Sequence, residues 1–138
     1  MSHSTGPLSY DIDTEHGVVH VLLSGALTFA SLCELDERMR SDPRFRPQLS
    51  SYVDCRVLTE IPSSGEIRKL AIDRLLEGAG YELGRIAIVA LTRLGMEYGA
   101  AWELYADSPR EDVQLFTSQE PARRWLGLPK GWTPSEIA

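Results

Sequence analysis

Residues 58–70, Leu-Thr-Glu-Ile-Pro-Ser-Ser-Gly-Glu-Ile-Arg-Lys-Leu, join a predicted strand to a predicted helix. The strand is indicated by residues 51–55, Ser-Tyr-Val-Asp-Cys, and the apolar spacing that follows predicts a helix to about residue 78. Ser63 and Glu66 have the spacing of a capping box, in which each side chain bonds the other residue's backbone N–H. Two adjacent serines therefore lie at a helix start, where free N–H groups attract anions.

The composition of the whole chain predicts one globular domain. Its 138 residues are 43% hydrophobic and 25% charged, so we expect a single domain over residues 1–138 with a core of about 8–127. The C-terminal tail at 128–138 is either loose or anchored by Trp132. The net charge of −6 argues against a nucleic-acid partner. No run approaches the ~20 apolar residues of a membrane span, and the first residues lack the features of a signal peptide, so we expect a cytoplasmic protein.

Strand and helix patterns alternate along the chain. Residues 8–13 alternate apolar and polar side chains, as in an edge strand, and a turn at residues 15–17 leads back into a mainly apolar strand. The remaining predicted elements are a helix capped by Thr28 and ending at Arg40, the strand at 51–55, the helix that follows it, a strand at 85–91, a helix at 96–106, a strand at 112–116 and a helix capped by Ser118. This order predicts an α/β fold: an N-terminal β-hairpin followed by βα repeats, with a mostly parallel five-stranded sheet and about four helices.

Several single residues leave two interpretations open. His20 interrupts an apolar strand, either as a hydrogen-bonded core histidine or as a group lining a pocket. The aromatic residues Tyr98, Trp102 and Tyr105 follow helical spacing and form either core or the contact face of a homodimer.

Four short motifs resemble the family of sulphate-transporter and anti-sigma-factor-antagonist domains, the STAS or SpoIIAA-like fold. These are the step Gly25-Ala26-Leu27-Thr28 into a helix, the strand end Val53-Asp54-Cys55, the turn Pro62-Ser63-Ser64-Gly65 and the stretch from Glu120 to Gly127. The last of these is similar to a stand-alone bacterial subgroup of that family, whose members mostly have no assigned function. The resemblance covers about residues 8–126 and implies the fold already predicted from the element order.

The resemblance also implies a regulatory function. A partner kinase phosphorylates the second serine of the motif in the anti-sigma-factor antagonists, and that position is Ser64 here, next to Ser63. A phosphate at a helix N-terminus would meet free N–H donors and the positive end of the helix dipole. Pro62 stands where the family has an aspartate, and Glu66 makes the capping box, so a purely structural cap is the alternative interpretation of the two serines.

The sequence offers no set of catalytic residues. It contains neither a Gly-x-Ser-x-Gly elbow nor paired Cys/His spacing, and the last predicted strand lacks the lysine that phospho-accepting receiver domains place there. We therefore predict a non-catalytic interaction domain that uses no metal or cofactor. The alternative is a domain that binds a small molecule or lipid in a pocket at the C-terminal ends of the parallel strands. The candidate surface for a ligand or protein comprises Asp54, Thr59, Pro62, Gly65, Thr92, Arg93 and Thr117, beside Ser63 and Ser64.

Overall fold

Strands and helices alternate through most of the chain, as the sequence predicts. The computed structural model describes residues 8–46, 48–77, 84–105 and 113–133. The strands are β1 (Leu8–Asp13), β2 (Val18–Ala26), β3 (Ser50–Glu60), β4 (Ile86–Ala90) and β5 (Val113–Phe116), and the helices are α1 (Phe29–Arg40), α2 (Ser64–Glu77), α3 (Arg93–Tyr105) and α4 (Gln119–Trp125). The predicted α/β class, with five strands and four helices, is confirmed.

The five strands form one mixed sheet in the order β1-β2-β3-β4-β5. A turn that ends at Gly17, whose φ of 67° suits glycine, makes β1 antiparallel to β2, and every other neighbouring pair is parallel. Because the spatial order of the strands follows the chain order, each of the three βαβ connections leads to the next strand on the same side. Connections of this kind are right-handed, so α1, α2 and α3 lie on the same face of the sheet.

The two faces of the sheet are covered unequally. Alternate residues of each strand point to opposite faces, so Val53 and Cys55 face the main core with α1, α2 and α3, which we call the three-helix face. Tyr52 and Val89 face the other way, towards Ala122 of α4, and this side is called the α4 face. The apolar residues of the central strands are buried on both faces, as parallel strands require.

The predicted cap residues of α1 and α4 both lie at the helix starts, but a side-chain cap forms at α1 alone of the two. The Thr28 hydroxyl accepts a hydrogen bond from the Ser31 backbone N–H (3.1 Å), and the Ser31 hydroxyl accepts one from the N–H of Thr28 (3.0 Å). The predicted cap of α1 is therefore confirmed, with Ser31 as its partner. Ser118 occupies the predicted cap position of α4 with an extended backbone, but its side chain makes no capping bond.

Two element boundaries differ from the prediction for identifiable reasons. The strand predicted at 51–55 continues to Glu60, because its last residues pair with the end of β2. The helix predicted from residue 96 begins earlier, at Arg93, so residues 93–95 are not the loop that this start implies. The Thr92 hydroxyl accepts a hydrogen bond from the Gly95 N–H (3.2 Å) at this helix start. The helix ends predicted at residues 78 and 106 lie outside the described residues.

The segment that follows α4, up to Trp132, packs on the α4 face. Trp132 is 6% exposed, its ring lies 5.5 Å from that of Tyr52, and its indole N–H donates to Asp13 (3.0 Å). The Arg123 guanidinium donates to the Trp132 carbonyl (2.9 Å). Trp132 therefore anchors the tail to β1, which is the alternative to a loose tail that the sequence left open.

None of the helices that the structure describes is long and apolar enough to cross a membrane.

Candidate functional site

The start of α2 forms the capping box that its sequence predicts. The Ser63 hydroxyl accepts a hydrogen bond from the Glu66 backbone N–H (3.2 Å), and the Glu66 carboxylate accepts one from the Ser63 N–H (3.0 Å). Ser64 is the first residue of the helix, and its side chain is exposed beside Gly65. The two serines therefore differ: Ser63 caps the helix, and Ser64 presents its hydroxyl to solvent.

Most of the predicted surface residues gather at one end of the sheet. Thr59 lies near the end of β3, Thr92 and Arg93 begin α3 directly after β4, and Thr117 follows β5. Because β3, β4 and β5 are parallel, these residues share the C-terminal end of the strands with Ser64. Thr59 and Thr117 are exposed, and the Arg93 side chain is 92% exposed.

A distortion of β3 adds an apolar residue to this end of the sheet. Leu23 pairs with Cys55, but Gly25 pairs with Leu58. An advance of two residues along β2 therefore corresponds to an advance of three along β3, which means that β3 contains one extra residue here. A bulge of this kind interrupts the alternation of side chains, and Val57 turns outwards with 68% exposure while Leu58 stays buried. The regular alternation assumed for a strand does not predict this exposure.

Leu91 is the second exposed apolar residue at the same end. It follows Ala90, which pairs with Cys55, so it lies beside the bulge on the neighbouring strand. Its exposure is 73%. The apolar run at 85–91 predicts Leu91 to be part of the buried strand, but β4 ends at Ala90, which leaves Leu91 outside it. We call the exposed residues Val57, Thr59, Ser64, Leu91, Arg93 and Thr117 the strand-end surface.

Two of the predicted surface residues lie inside the protein instead. Pro62 is buried ahead of the capping box. Asp54 lies in the middle of β3, is 6% exposed, and points to the α4 face because its neighbours Val53 and Cys55 point to the three-helix face. Neither residue therefore contributes a side chain to the strand-end surface.

Asp54 belongs to a buried polar cluster with His20 and Tyr52. The His20 Nε2 atom lies 3.7 Å from a carboxylate oxygen of Asp54, and the imidazole ring lies edge-on to that of Tyr52 at 5.8 Å. Among the described residues, neither ring nitrogen of His20 nor the hydroxyl of Tyr52 has a hydrogen-bond partner. His20 is therefore a core histidine, which is one of the two interpretations given for it above. That interpretation expected a hydrogen bond to the imidazole ring, and among the described residues none is formed.

Electrostatics keep the Asp54 carboxylate charged. Burial raises its pKa, but His20 and a 3.1 Å hydrogen bond from the Arg56 guanidinium outweigh burial, and the pKa is lowered from its ordinary value. Burial together with the charge of Asp54 raises the pKa of Tyr52 to about 12 and that of the Cys55 thiol to about 12. The phenol and the thiol are therefore both protonated at neutral pH.

Cys55, which neighbours Asp54 in the chain but faces the three-helix core, is a poor nucleophile. The reactive form of cysteine is the thiolate, and a raised pKa with burial leaves Cys55 inert. No group of three or more His, Cys, Asp or Glu side chains that could hold a metal ion occurs within the described ranges.

A large cleft lies on the three-helix face, away from the strand-end surface. Its volume is about 480 Å³, and its lining includes Leu35 of α1, Leu70 of α2 and Trp102 of α3. Ser51 and Ile86, near the starts of β3 and β4, line it as well. None of the residues predicted to surround a pocket at the C-terminal strand ends lines this cleft. Tyr98 also lines it and is only 4% exposed, so this aromatic residue of α3 is core.

A scan of protein-family models and searches of curated proteins and of solved structures found no match to this chain.

Proposed function

We propose that this chain is a non-catalytic STAS-like domain that acts by binding a protein partner through the strand-end surface. The observation that carries this proposal is the pair of large apolar side chains, Val57 and Leu91, which are 68% and 73% exposed at the same end of the sheet. Neighbouring exposed apolar residues with polar residues around them are typical of protein contact sites.

The packing below this surface supports a rigid docking site. Leu58 and Ala90 are buried directly beside the two exposed residues, so the backbone that presents them is anchored in the core. A partner that covers both side chains would gain roughly 1.5–3 kcal/mol for each one fully removed from water. The polar groups of Thr59, Ser64 and Thr117 are available around them for hydrogen bonds.

Ser64 supplies a means of regulation on the same surface. Its hydroxyl is exposed at the first turn of α2, whereas the Ser63 hydroxyl already accepts the capping bond from Glu66. A phosphate would add a charge of about −1.5 to −2 beside the apolar residues and would weaken docking of an acidic or apolar partner. A serine kinase and a regulatory protein are therefore the partners that we propose, and the cytoplasm is the compartment.

Site-specific photocrosslinking in the native host tests the docking site. A benzophenone amino acid at position 91 or 57 should crosslink the same partner protein, because both positions lie in one contact. The matched control is position 104, since Leu104 is 67% exposed on α3 but lies outside the strand-end surface. Equal yields of one adduct at 91 and 104, or no adduct at 57 and 91, would rule out the docking site.

Mass spectrometry of the protein isolated from its host tests the regulatory part separately. We expect a phosphate on Ser64 under at least one growth condition, and none on Ser63, whose hydroxyl is engaged in the cap. If Ser64 is unmodified in every condition, the proposed regulation by phosphorylation is contradicted. The docking proposal does not depend on this result and is tested by the crosslinking experiment.

A further inference from the structure

The cleft on the three-helix face has the size and lining of a small-molecule site. Its floor is formed by strand residues such as Val21, Val53 and Ile88, and its walls by Leu35, Leu70 and Trp102. The volume of about 480 Å³ falls within the range of roughly 300–1,000 Å³ that ligand pockets usually have. Helix α1 lies over β1, α3 lies over β3, β4 and β5, and α2 contacts both of these helices and contributes Leu70 and Asp73 to the lining.

The rim of the cleft is negatively charged. The carboxylates of Asp36, Glu37 and Asp73 line it, and among the described lining residues Arg40 is the one cationic side chain. The Arg40 guanidinium donates a 2.8 Å hydrogen bond to Asp36, so these two charges offset each other. Among the described lining residues, Glu37 and Asp73 then leave an excess of two negative charges around an apolar interior.

The thiol of Cys33 lies in the cleft near the carboxylates of Asp36 and Asp73. Cys33 lines the cleft and is partly exposed. Its pKa is raised by burial and then by the charges of Asp36 and Asp73, against the opposing effect of Lys69. A cationic group near this thiol would meet a favourable potential, and an anionic group an unfavourable one.

We propose that this cleft binds a small amphipathic molecule with an apolar body and a cationic amine group. The apolar body would lie against the sheet between α1 and α3, where it removes exposed apolar surface from water. The amine would lie at the rim, within reach of Glu37 and Asp73. This inference concerns a different part of the molecule from the strand-end surface and does not depend on partner docking.

A comparison of matched ligands by isothermal titration calorimetry tests the proposal. Octylamine, octanol and octanoate have the same chain length, and all three are used below their micelle concentrations at pH 7. We expect octylamine to bind at least about tenfold more tightly than octanoate, because two partly screened ion pairs favour it. Absence of octylamine binding, or equal or tighter binding of octanoate, would overturn the proposal.

Charge variants assign the preference to the rim. The double variant Glu37→Gln/Asp73→Asn should reduce the preference for octylamine over octanoate to about twofold or less. Glu34→Gln is the matched control, since Glu34 is an exposed carboxylate of the same helix that does not line the cleft. A preference that survives the double variant, or that is lost equally in the control, contradicts the assignment.

Protection of Cys33 from alkylation locates the bound molecule without any substitution. Saturating octylamine should slow the reaction of Cys33 with iodoacetamide by at least about tenfold, because the ligand covers the partly exposed thiol. Cys55 is an internal reference, being 4% exposed on β3. An unchanged rate at Cys33 with octylamine bound would place the ligand elsewhere and overturn the proposal.

Discussion

The hydroxyl of Ser63 accepts a hydrogen bond from the Glu66 N–H, whereas the hydroxyl of Ser64 is exposed. At the scale of single residues, this difference separates a structural role from a proposed regulatory one. The sequence predicts the capping box, because it depends only on the spacing of neighbouring residues. It does not predict the burial of Pro62 or Asp54, which depends on how β3 meets the rest of the sheet.

Substitution of the two serines should separate their roles in stability. Ser63→Ala removes the cap of α2 and should lower the free energy of unfolding by about 1 kcal/mol. Ser64→Ala should change it by less than about 0.5 kcal/mol, because this exposed hydroxyl has no capping bond. Urea denaturation followed by circular dichroism measures both values. Equal losses in the two variants would contradict the assignment of the cap to Ser63.

Acid stability should depend on Asp42. Hydrogen bonds from Arg44 hold the pKa of this carboxyl well below its usual value, and the Tyr10 hydroxyl donates another at 2.9 Å. Because the folded pKa lies below the unfolded value of about 3.9, the carboxylate stabilises the fold fully above that pH, and this contribution is lost as the pH falls towards the folded value. Urea denaturation between pH 7 and pH 2 should therefore show a flatter profile for Asp42→Asn than for the wild type. Arg44→Gln should flatten the profile in the same direction, and a curve for Asp42→Asn that runs parallel to the wild type would contradict the prediction.

At the scale of elements, close packing of α3 against β5 explains why α3 contains Gly99. A Cβ atom at this position would lie 2.6 Å from Leu115 Cδ1 and 3.3 Å from Ile88 Cγ2. The small residues of this helix predict a close neighbour, and the structure identifies it as β5. The order of the elements was predictable because helix and strand periods differ along the chain. The bulge that exposes Val57 was not, since it arises from pairing between distant strands.

Enlarging Gly99 should therefore cost stability. Gly99→Val should lower the free energy of unfolding by roughly 1–3 kcal/mol, because Leu115 and Ile88 must move to accommodate the added atoms. Gly65→Ala is the contrasting control: the nearest atom that its new Cβ meets is 4.0 Å away, and alanine favours the helix. Thermal unfolding followed by calorimetry measures both, and a stable Gly99→Val variant would show that the contact is not tight.

At the scale of the whole molecule, the sheet separates three regions with different properties. The three-helix face carries the cleft, the α4 face carries the buried polar cluster, and the C-terminal strand ends carry the exposed apolar pair. The sequence predicts the sheet but not this division, because the C-terminal strand ends were the expected place for both a ligand and a partner. Trp132 adds a long-range contact, to Asp13, that no local pattern indicates.

Loss of the Trp132 side chain should destabilise the fold strongly. The side chain packs on Tyr52 with 6% exposure, so Trp132→Ala should lower the free energy of unfolding by about 3–5 kcal/mol. Lys130→Ala, an exposed residue of the same segment, should change it by less than about 0.5 kcal/mol. Guanidinium denaturation followed by far-UV circular dichroism measures both, and wild-type stability of Trp132→Ala would show that the segment does not stay docked.

Partner binding through the strand-end surface is tested most directly by measuring the affinity of the crosslinked partner for three purified proteins. These are the wild type, Leu91→Asp and Leu104→Asp, which place the same charge at two exposed leucines. Isothermal titration calorimetry should show at least about tenfold weaker binding for Leu91→Asp, because the leucine side chain that the partner covers in the complex is lost. Binding of Leu104→Asp should be unchanged. Wild-type affinity in Leu91→Asp, or equal weakening in both variants, would contradict the proposed docking site.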